Sequence, residues 1–342
     1  MTKERLAVAL SGGLDSSVVA LLLKDAGYET MGVYMRLWDS SHAQRLERRA
    51  EHVCHTLGIS FHVLDLQKEF EHCVIAYFCQ EYRRGRTPNP CIACNQHVKF
   101  GFLLDRALAL GFDYLATGHY ARIEKNDGIC RLLRAKDMRK DQSYFLYTLD
   151  QNKLSHLLFP LGDYSRADVR RIAQRRGLST ATKSSQDLCF IAQKNYHVFL
   201  NQHFPSMPGD VLDSYGAILG RHRGIAFYTI GQRHGLGVAS NTPLYVTKIE
   251  PENNRIVLGN KDELYKQEVM AKDLTWVAGE LPFQPLAVSA QIRYKSRAAE
   301  AALFCKVDSA DIRFAQPQWA VTPGQAIVFY RDGELLGGGI ID

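Results

Sequence analysis

The chain has 342 residues, 46% hydrophobic and 23% charged, with a net charge of +6. That length exceeds one ordinary core, so two or three domains are expected, and the composition is that of a soluble globular protein. No apolar run reaches the roughly 18 residues of a membrane span, and Met-Thr-Lys-Glu-Arg at the start lacks the apolar stretch of a signal peptide, which points to a cytoplasmic protein with no membrane partner.

The first element is an apolar run, Leu6 to Leu10, which ends abruptly in Ser11-Gly12-Gly13; a second apolar run, Val18 to Leu23, begins beyond Ser16-Ser17. A buried strand, a glycine turn and a helix start present backbone N–H groups to a phosphate. The loop has neither the Gly-Lys-Ser/Thr ending of a Walker loop nor the Gly-x-Gly-x-x-Gly of a dinucleotide site. A tight turn between strand and helix is the plainer reading. Two glycines flanked by three hydroxyls and the carboxylate of Asp15 exceed what such a turn needs.

Further apolar segments follow at 31–35, 61–66 and 113–117, with helical spacing over 44–57 and an amphipathic stretch over 98–111 capped by Gly111. Strands alternating with helices predict a parallel sheet covered on both faces, with the ligand at the carboxyl ends of the strands. Residues 164–178 read as a helix started by Ser165 and ended by Gly177. Near 195 the texture changes. Glycines crowd the stretch from Gly209 to Gly237, and short apolar runs at 244–249 and 255–258 flank Asn253-Asn254, which predicts a small domain of hairpins. Alternating stretches at 286–294, 300–307, 326–330 and 334–340 close most simply as a β-barrel. The expected domains are therefore 1–195, 196–262 and 263–342.

Basic residues cluster at Arg83, Arg84 and Arg86, at Arg131, Arg134, Lys136, Arg139 and Lys140, from Arg166 to Arg176, and at Arg221, His222 and Arg223. A polyanion would meet several positive patches, although each cluster alone reads equally well as a solvated face. Of the eight cysteines, Cys54, Cys73, Cys79, Cys130 and Cys305 have the surroundings of packing residues. Cys91 and Cys94 follow two prolines on a turn into the 98–111 helix; a helix N-terminus, Arg86 and Lys99 are expected to lower their pKa values. Cys189 follows the polar turn Lys183-Ser-Ser-Gln-Asp. A Cys-x-x-Cys pair is by itself ambiguous between redox, metal binding and chance.

Six segments occur in order: the Ser11–Ser17 loop, Thr87-Pro-Asn-Pro-Cys-Ile-Ala-Cys-Asn95, Ala116-Thr-Gly-His-Tyr-Ala-Arg122, Lys140-Asp-Gln-Ser-Tyr-Phe-Leu-Tyr147, Ser185-Gln-Asp-Leu-Cys-Phe190 and Tyr228-Thr-Ile-Gly-Gln-Arg-His-Gly-Leu-Gly237. With Gln291-Ile-Arg-Tyr294 and Pro323-Gly-Gln325 they cover essentially the whole chain, which resembles the tRNA-specific 2-thiouridylases, the MnmA/TrmU family of PP-loop ATP pyrophosphatases. The resemblance implies a PP-loop α/β domain, a small β-rich domain and a C-terminal barrel. It implies a tRNA-uridine 2-sulfurtransferase that adenylates O2 of the wobble uridine with ATP, because that oxygen is a poor leaving group and AMP a good one.

The same resemblance assigns ATP binding to Ala9, Leu10, Ser11, Gly12, Gly13, Leu14, Asp15, Ser16, Ser17, Met35 and Gly118, with Asp15 the Mg²⁺ partner; core packing is the alternative for Met35. It makes Cys189 the carrier of a persulfide taken from a sulfur donor or relay protein, and Cys94 the second catalytic thiol, leaving a Cys94–Cys189 disulfide. Many family members have aspartate where this chain has Cys91. Cys91, Cys94 and Cys189 together could instead ligate a 4Fe–4S cluster, or zinc with His97 as a fourth ligand. Asn89, Pro90, His119, Lys140, Asp141, Gln142, Arg293, Tyr294 and Gln325 match positions that contact tRNA near the anticodon, with arginine and lysine on phosphates and Tyr294 stacking on a base. DNA is not an expected partner. A different PP-loop ATPase, which needs no cysteine pair, and a non-catalytic RNA-binding or iron–sulfur scaffold remain as competing readings. The segment after Trp38 is short for the family, Asp39-Ser-Ser-His running straight into the next helix.

Overall fold

The computed structural model describes residues 4–178, 188–191, 196–280 and 285–342. Its first sheet is parallel throughout. Strands β1 (Arg5–Leu10), β2 (Glu29–Arg36), β3 (Ser60–Asp65) and β4 (Tyr114–Ala116) are joined by β7 (Leu157–Leu158) in the order β3-β2-β1-β4-β7. Strand β1 lies at the centre, and Leu6, Ala7 and Val8 are fully buried, as a strand covered on both faces requires. The chain winds from β1 through β2 to β3, then returns to the other side of β1 with β4. The carboxyl end of β1 is thus a topological switch point, where open α/β sheets bind ligands.

Helix α1 (Leu14–Asp25) follows β1 directly and is buried along most of its length. Helix α2 (Ser41–Leu57) is capped by Ser40, whose hydroxyl accepts from the Ala43 N–H at 3.0 Å, and ends in left-handed Gly58. The short segment after Trp38 therefore serves as a helix start. Helix Arg166–Arg175 carries the expected Ser165 cap, completed as a capping box by Asp168.

The helix expected over 98–111 starts earlier. Helical structure runs from Pro90 to Ala109, with a π-helical stretch over Cys94–Leu103. Asn89 is the cap, accepting from the Cys91 N–H at 3.2 Å, and Pro90 occupies the first turn, where its missing donor is harmless. Cys91 and Cys94 consequently stand within helical turns, not on a loop before them.

The hairpins expected after 206 are present as β8 (Gly209–Asp213) with β9 (Ile218–His222) and β10 (Tyr245–Glu250) with β11 (Arg255–Gly259), joined by a parallel β11–β8 pair. The C-terminal segment forms β12 (Tyr265–Trp276), β13 (Leu286–Gln291), β14 (Ala299–Cys305), β15 (Ser309–Trp319), β16 (Ala326–Arg331) and β17 (Glu334–Ile341). These pair in the order β12-β15-β14-β13-β16-β17, and β12 pairs with β17 to close the barrel. The α/β sheet domain, β-rich middle and terminal barrel are as the sequence leads one to expect. The first expected boundary, at 195, lies outside the described residues.

One hairpin joins two of these parts. Strands β5 (Ala121–Asn126) and β6 (Ile129–Arg134) follow β4 and are joined to each other by an Asp127-Gly128 turn, and β6 pairs with β17 at the barrel edge. Arg131 reaches Glu334 at 2.5 Å. At the hairpin's end, Arg134 donates to Asp141 at 2.8 Å and to Gln291 at 3.0 Å, and its guanidinium lies 3.5 Å from the centre of the Tyr330 ring. Asp141 also accepts from the N–H of Ala135 and of Ser143 and from the Ser143 hydroxyl. With side chains only 15% and 5% exposed, Arg134 and Asp141 form an enclosed ion pair, not part of a surface basic patch. Removing one member of such a pair leaves a buried charge alone. Asp141→Ala is therefore expected to cost about 3 kcal/mol or more in urea unfolding; a loss below about 0.5 kcal/mol, the range of ordinary surface changes, would show that the pair is not a structural tie.

Candidate active site

Two groups of residues define the site, and one short segment connects them. The first group is the loop between β1 and α1. Gly12 has φ +69°, and a Cβ there would lie 2.4 Å from the Leu46 carbonyl oxygen, so only glycine permits this close pass of α2. Gly13 is the N-cap and brings no capping side chain. The first N–H groups of α1 therefore lack the side-chain acceptor that usually satisfies a helix start, which suits them to an anion. The loop hydroxyls bond inward: Ser16 Oγ receives the Ser11 N–H at 3.2 Å, and Ser16 and Ser17 donate to the Gly13 carbonyl. Ala9, Leu10 and Leu14 are buried and set the backbone path; Ser11 is exposed at the loop's tip. Met35, at the end of the neighbouring β2, is half-buried against the core.

Asp15 is held by two partners. Its Oδ1 accepts from the Tyr120 hydroxyl at 2.9 Å and from Arg166 Nη1. Neither partner was expected from the motifs. Tyr120 belongs to the Gly-His-Tyr segment, and Arg166 is the first residue of its helix, which the basic cluster alone does not distinguish from its neighbours.

The second group is thiol. Cys91 is half-buried, Cys94 is buried, and Cys189 is exposed as a residue. Burial pushes all three thiols up, with Cys189 raised to about 12; after burial, the neighbouring thiols of Cys94 and Cys91 are the next causes at Cys189. Exposure of Cys189 concerns the whole residue and governs access, whereas the protein crowded around its sulfur governs its charge. These shifts overturn the expectation of lowered pKa values. Arg86 is turned away, bonded to Glu81, Asp342 and the Ile341 carbonyl. Lys99 does favour the thiolates of all three cysteines, but burial outweighs it. Lys99 lies five residues beyond Cys94, a spacing that α-helical turns of 3.6 residues splay apart and that i→i+5 bonding draws together.

The residues just beyond Cys189 anchor it. Phe190 packs edge-on against Phe78, Phe70 and Phe199 at centroid separations of 5.6, 5.7 and 5.2 Å, and Ile191 is buried. The Ser185-Gln-Asp portion of that motif lies outside the described residues.

The connecting segment is Thr117–Tyr120. A Cβ on Gly118 would stand 3.1 Å from the Ser16 nitrogen, so this backbone lies directly on the first turn of α1. His119, next in line, is buried between Phe100 and Phe159 and bonds Thr117 at 2.7 Å. Burial, and after it Lys99, pull the His119 pKa well below the ordinary histidine range. Gly118 thus packs on the nucleotide loop, and His119 beside it feels the charge of the same Lys99 as the three thiols.

The remaining expected contact residues surround that segment. Gln142 brackets Tyr120, accepting its N–H at 3.0 Å while donating its own backbone N–H to the Tyr120 carbonyl at 2.8 Å. Lys140 is exposed beside it. Tyr294 packs 4.3 Å from Phe145, and burial, Asp141 and Cys91 raise its pKa, which sets it near the thiols. Arg293 donates to the Trp319 and Ala320 carbonyls. Gln325 donates to the Thr87 carbonyl at 2.7 Å, and the Thr87 N–H donates to Pro323 O at 2.9 Å, clasping the approach to Asn89, buried Pro90 and Cys91. Asp141, Arg293 and Gln325 thus have protein partners, while the exposed Lys140 side chain has none among the described residues. Asn95, buried next to Cys94, donates to the Phe145 carbonyl at 3.1 Å.

The sheet and its loop define a HUP-type nucleotide-binding domain followed by two β-barrel-like parts. Residues 4–193 match the tRNA methyl transferase HUP domain, 197–260 the tRNA methyl transferase PRC-barrel domain, and 266–341 the aminomethyltransferase beta-barrel domain. The tRNA-specific 2-thiouridylase MnmA 1 of Syntrophus aciditrophicus is 46% identical over 99% of this chain and 93% of its own length. The MnmA of Carboxydothermus hydrogenoformans is 45% identical over 99% and 98%, and that of Clostridium perfringens 42% over 100% and 99%. This chain belongs to the MnmA family of tRNA-specific 2-thiouridylases. Among solved structures, a U34-tRNA thiolase NcsA from Methanococcus maripaludis is 17% identical over 58% of this chain and 64% of its own, at a TM-score of 0.38, too distant to bear on the cysteines.

The raised thiol pKa values have a direct consequence. Iodoacetamide alkylation of Cys189, followed by mass spectrometry, is expected to be slow at pH 7.5 and to climb about tenfold per pH unit through pH 9.5. Flattening near 8.5, where an ordinary thiol is half ionised, would contradict a thiol held near 12.

Proposed function

We infer that this protein thiolates tRNA: it activates the C2 oxygen of the wobble uridine with ATP and replaces that oxygen with sulfur carried on Cys189. The observation that carries this reading is the segment Thr117–Tyr120, whose Gly118 lies on the nucleotide loop while its His119 shares the charge of Lys99 with the three thiols. An adenylating loop alone would suit several synthetases, and a thiol cluster alone several redox proteins. Their conjunction suits sulfur transfer to an adenylated oxygen. The family model's description speaks of methyl transfer and the relatives' names of thiolation; the mutually close thiols of Cys91, Cys94 and Cys189 favour the second.

The uridine O2 attacks the α-phosphorus of ATP and pyrophosphate leaves. The terminal sulfur of a Cys189 persulfide attacks C2, and AMP departs with the oxygen. Cys94 thiolate then attacks the Cys189 sulfur, breaking the S–S bond to the base, so that 2-thiouridine is released and a Cys94–Cys189 disulfide remains. An external dithiol resets the pair, and a persulfide donor or relay protein reloads Cys189. Burial suits this order. A resting thiol that stays protonated does not react prematurely, and the persulfide, more acidic than a thiol, provides the anion when it is needed. Lys99 supplies the positive charge that offsets that anion. Lys140 and Tyr294 are the residues best placed to meet RNA, the first through phosphate and the second through base stacking.

Among the described residues no three His, Cys, Asp or Glu side chains are gathered to hold a metal ion. A 4Fe–4S cluster on Cys91, Cys94 and Cys189, or a zinc ion there, does not fit this arrangement, and no step passes through one. Mg²⁺ asks for less, since one or two carboxylates with phosphates and water suffice. Asp15 fits that need, and the ion would neutralise charge on the triphosphate. No helix among the described residues is long and apolar enough to cross a membrane, and the proposed site of action is the cytoplasm.

Wild-type protein is expected to release AMP and pyrophosphate from ATP only when unmodified tRNA is present. Cys189→Ala should retain pyrophosphate release and lose thiolation, read by mass spectrometry of nucleosides. Normal thiolation by that variant would sink the persulfide assignment. Iron and acid-labile sulfide at about four each per chain in protein purified without oxygen, lost in Cys91→Ala, would replace it with the cluster route.

A further inference from the structure

Asp15 is the only carboxylate among the loop residues 11–17, and beside a triphosphate an uncompensated carboxylate is repulsive. The structure shows how this is managed. Asp15 Oδ1 is taken by both Tyr120 and Arg166, and Oδ2 has no hydrogen-bond partner among the described residues. The side chains of Arg166 and Asp15 are 22% and 34% exposed, enclosed enough for the pair to matter. Both holders are themselves fixed. Arg166 begins a helix whose capping box is complete, and its N–H donates to Asp137 Oδ2 at 3.3 Å. Tyr120 is buried, and its backbone is bracketed on both sides by Gln142. Asp137 and Gln142 are the two ends of one short loop, with Lys140 between them.

The geometry points to Arg166 and Tyr120 as positioning residues of the nucleotide loop: they neutralise and orient the Asp15 carboxylate through one oxygen and keep the other for the cation that accompanies the triphosphate. Arg166 acts through Asp15. Its removal leaves the carboxylate charge facing the phosphates, whereas removal of both residues takes away attraction and repulsion together. Tyr120 contributes orientation without charge. The inference rests on the reading of the loop as an ATP site.

Equilibrium binding of ATP to the full-length protein, with excess EDTA and then with Mg²⁺, tests it without reference to turnover. In EDTA, Arg166→Gln is expected to bind ATP about tenfold more weakly than wild type or worse. The double variant Asp15→Asn with Arg166→Gln should recover to within about threefold of wild type, the non-additivity that marks residues acting on one another. Tyr120→Phe should change little in EDTA and weaken binding with Mg²⁺. Arg166→Gln binding as wild type does in EDTA would overturn the inference. So would a double variant no better than Arg166→Gln alone, because Arg166 would then touch the nucleotide itself or hold the fold. Recovery in the double variant also excludes misfolding as the cause of the single defect. Wild-type protein that binds no ATP under either condition would overturn the nucleotide reading and, with it, the role given to Arg166.

Discussion

The Arg134–Asp141 ion pair sits where the α/β domain, the Lys140 loop and the barrel meet, and it is nearly shut off from water. A pair in that position is tolerated only when its remaining donors and acceptors are satisfied. Here they are: the carboxylate takes two N–H groups and a hydroxyl, and the guanidinium adds Gln291 and the face of Tyr330. Any displacement of the barrel relative to the hairpin would break several of these bonds at once. The loop from Asp137 to Gln142 is therefore held at its carboxyl end, and the segment that contacts Tyr120 is held with it.

Charge is handled the same way at the reactive groups. The thiols lie in a setting that keeps them neutral, and Asp15 lies in one that keeps it compensated. In each case a single cation stands against a cost, Lys99 against the burial of the thiols and Arg166 against the negative charge of Asp15. Neither cation is placed by chance of surface composition. The over-wide helix at Cys94–Leu103 brings the charge of Lys99 to bear on the thiols, and the capping box that fixes the start of its helix sets Arg166 on Asp15.

Much of the architecture was legible from local signals. The apolar run, glycine turn and second apolar run at 6–23 describe strand, loop and helix as found, and Ser165 and Gly177 mark the ends of a real helix. Strands β12 and β15 were missed because apolar residues also stand on their exposed faces, Tyr265, Met270 and Ala315 among them, and a bulge breaks the alternation. The hairpin of β5 and β6 carried its own signal, Asp127-Gly128, but nothing local says that its partner lies two hundred residues on, at β17. At the site, motif reading pointed to the loop and the cysteines. It misjudged the thiol pKa values, because a helix start and nearby cations are visible in sequence and desolvation is not. Tyr120 and Arg166 escaped it for a similar reason: their importance comes from meeting at Asp15, a tertiary event.

The pairing of β6 with β17 has an implication for how the molecule comes into being. During synthesis the parallel sheet can assemble early, since domains fold in order of emergence. The hairpin that projects from it must wait with one edge unsatisfied, and an open edge invites adhesion to other chains. Its partner is the last strand in chain order, which also closes the barrel against β12. A chain interrupted before β17 thus carries an unsealed edge at β6, next to the loop that the Arg134–Asp141 pair braces. One strand seals both the hairpin edge and the barrel, so neither is complete without the other.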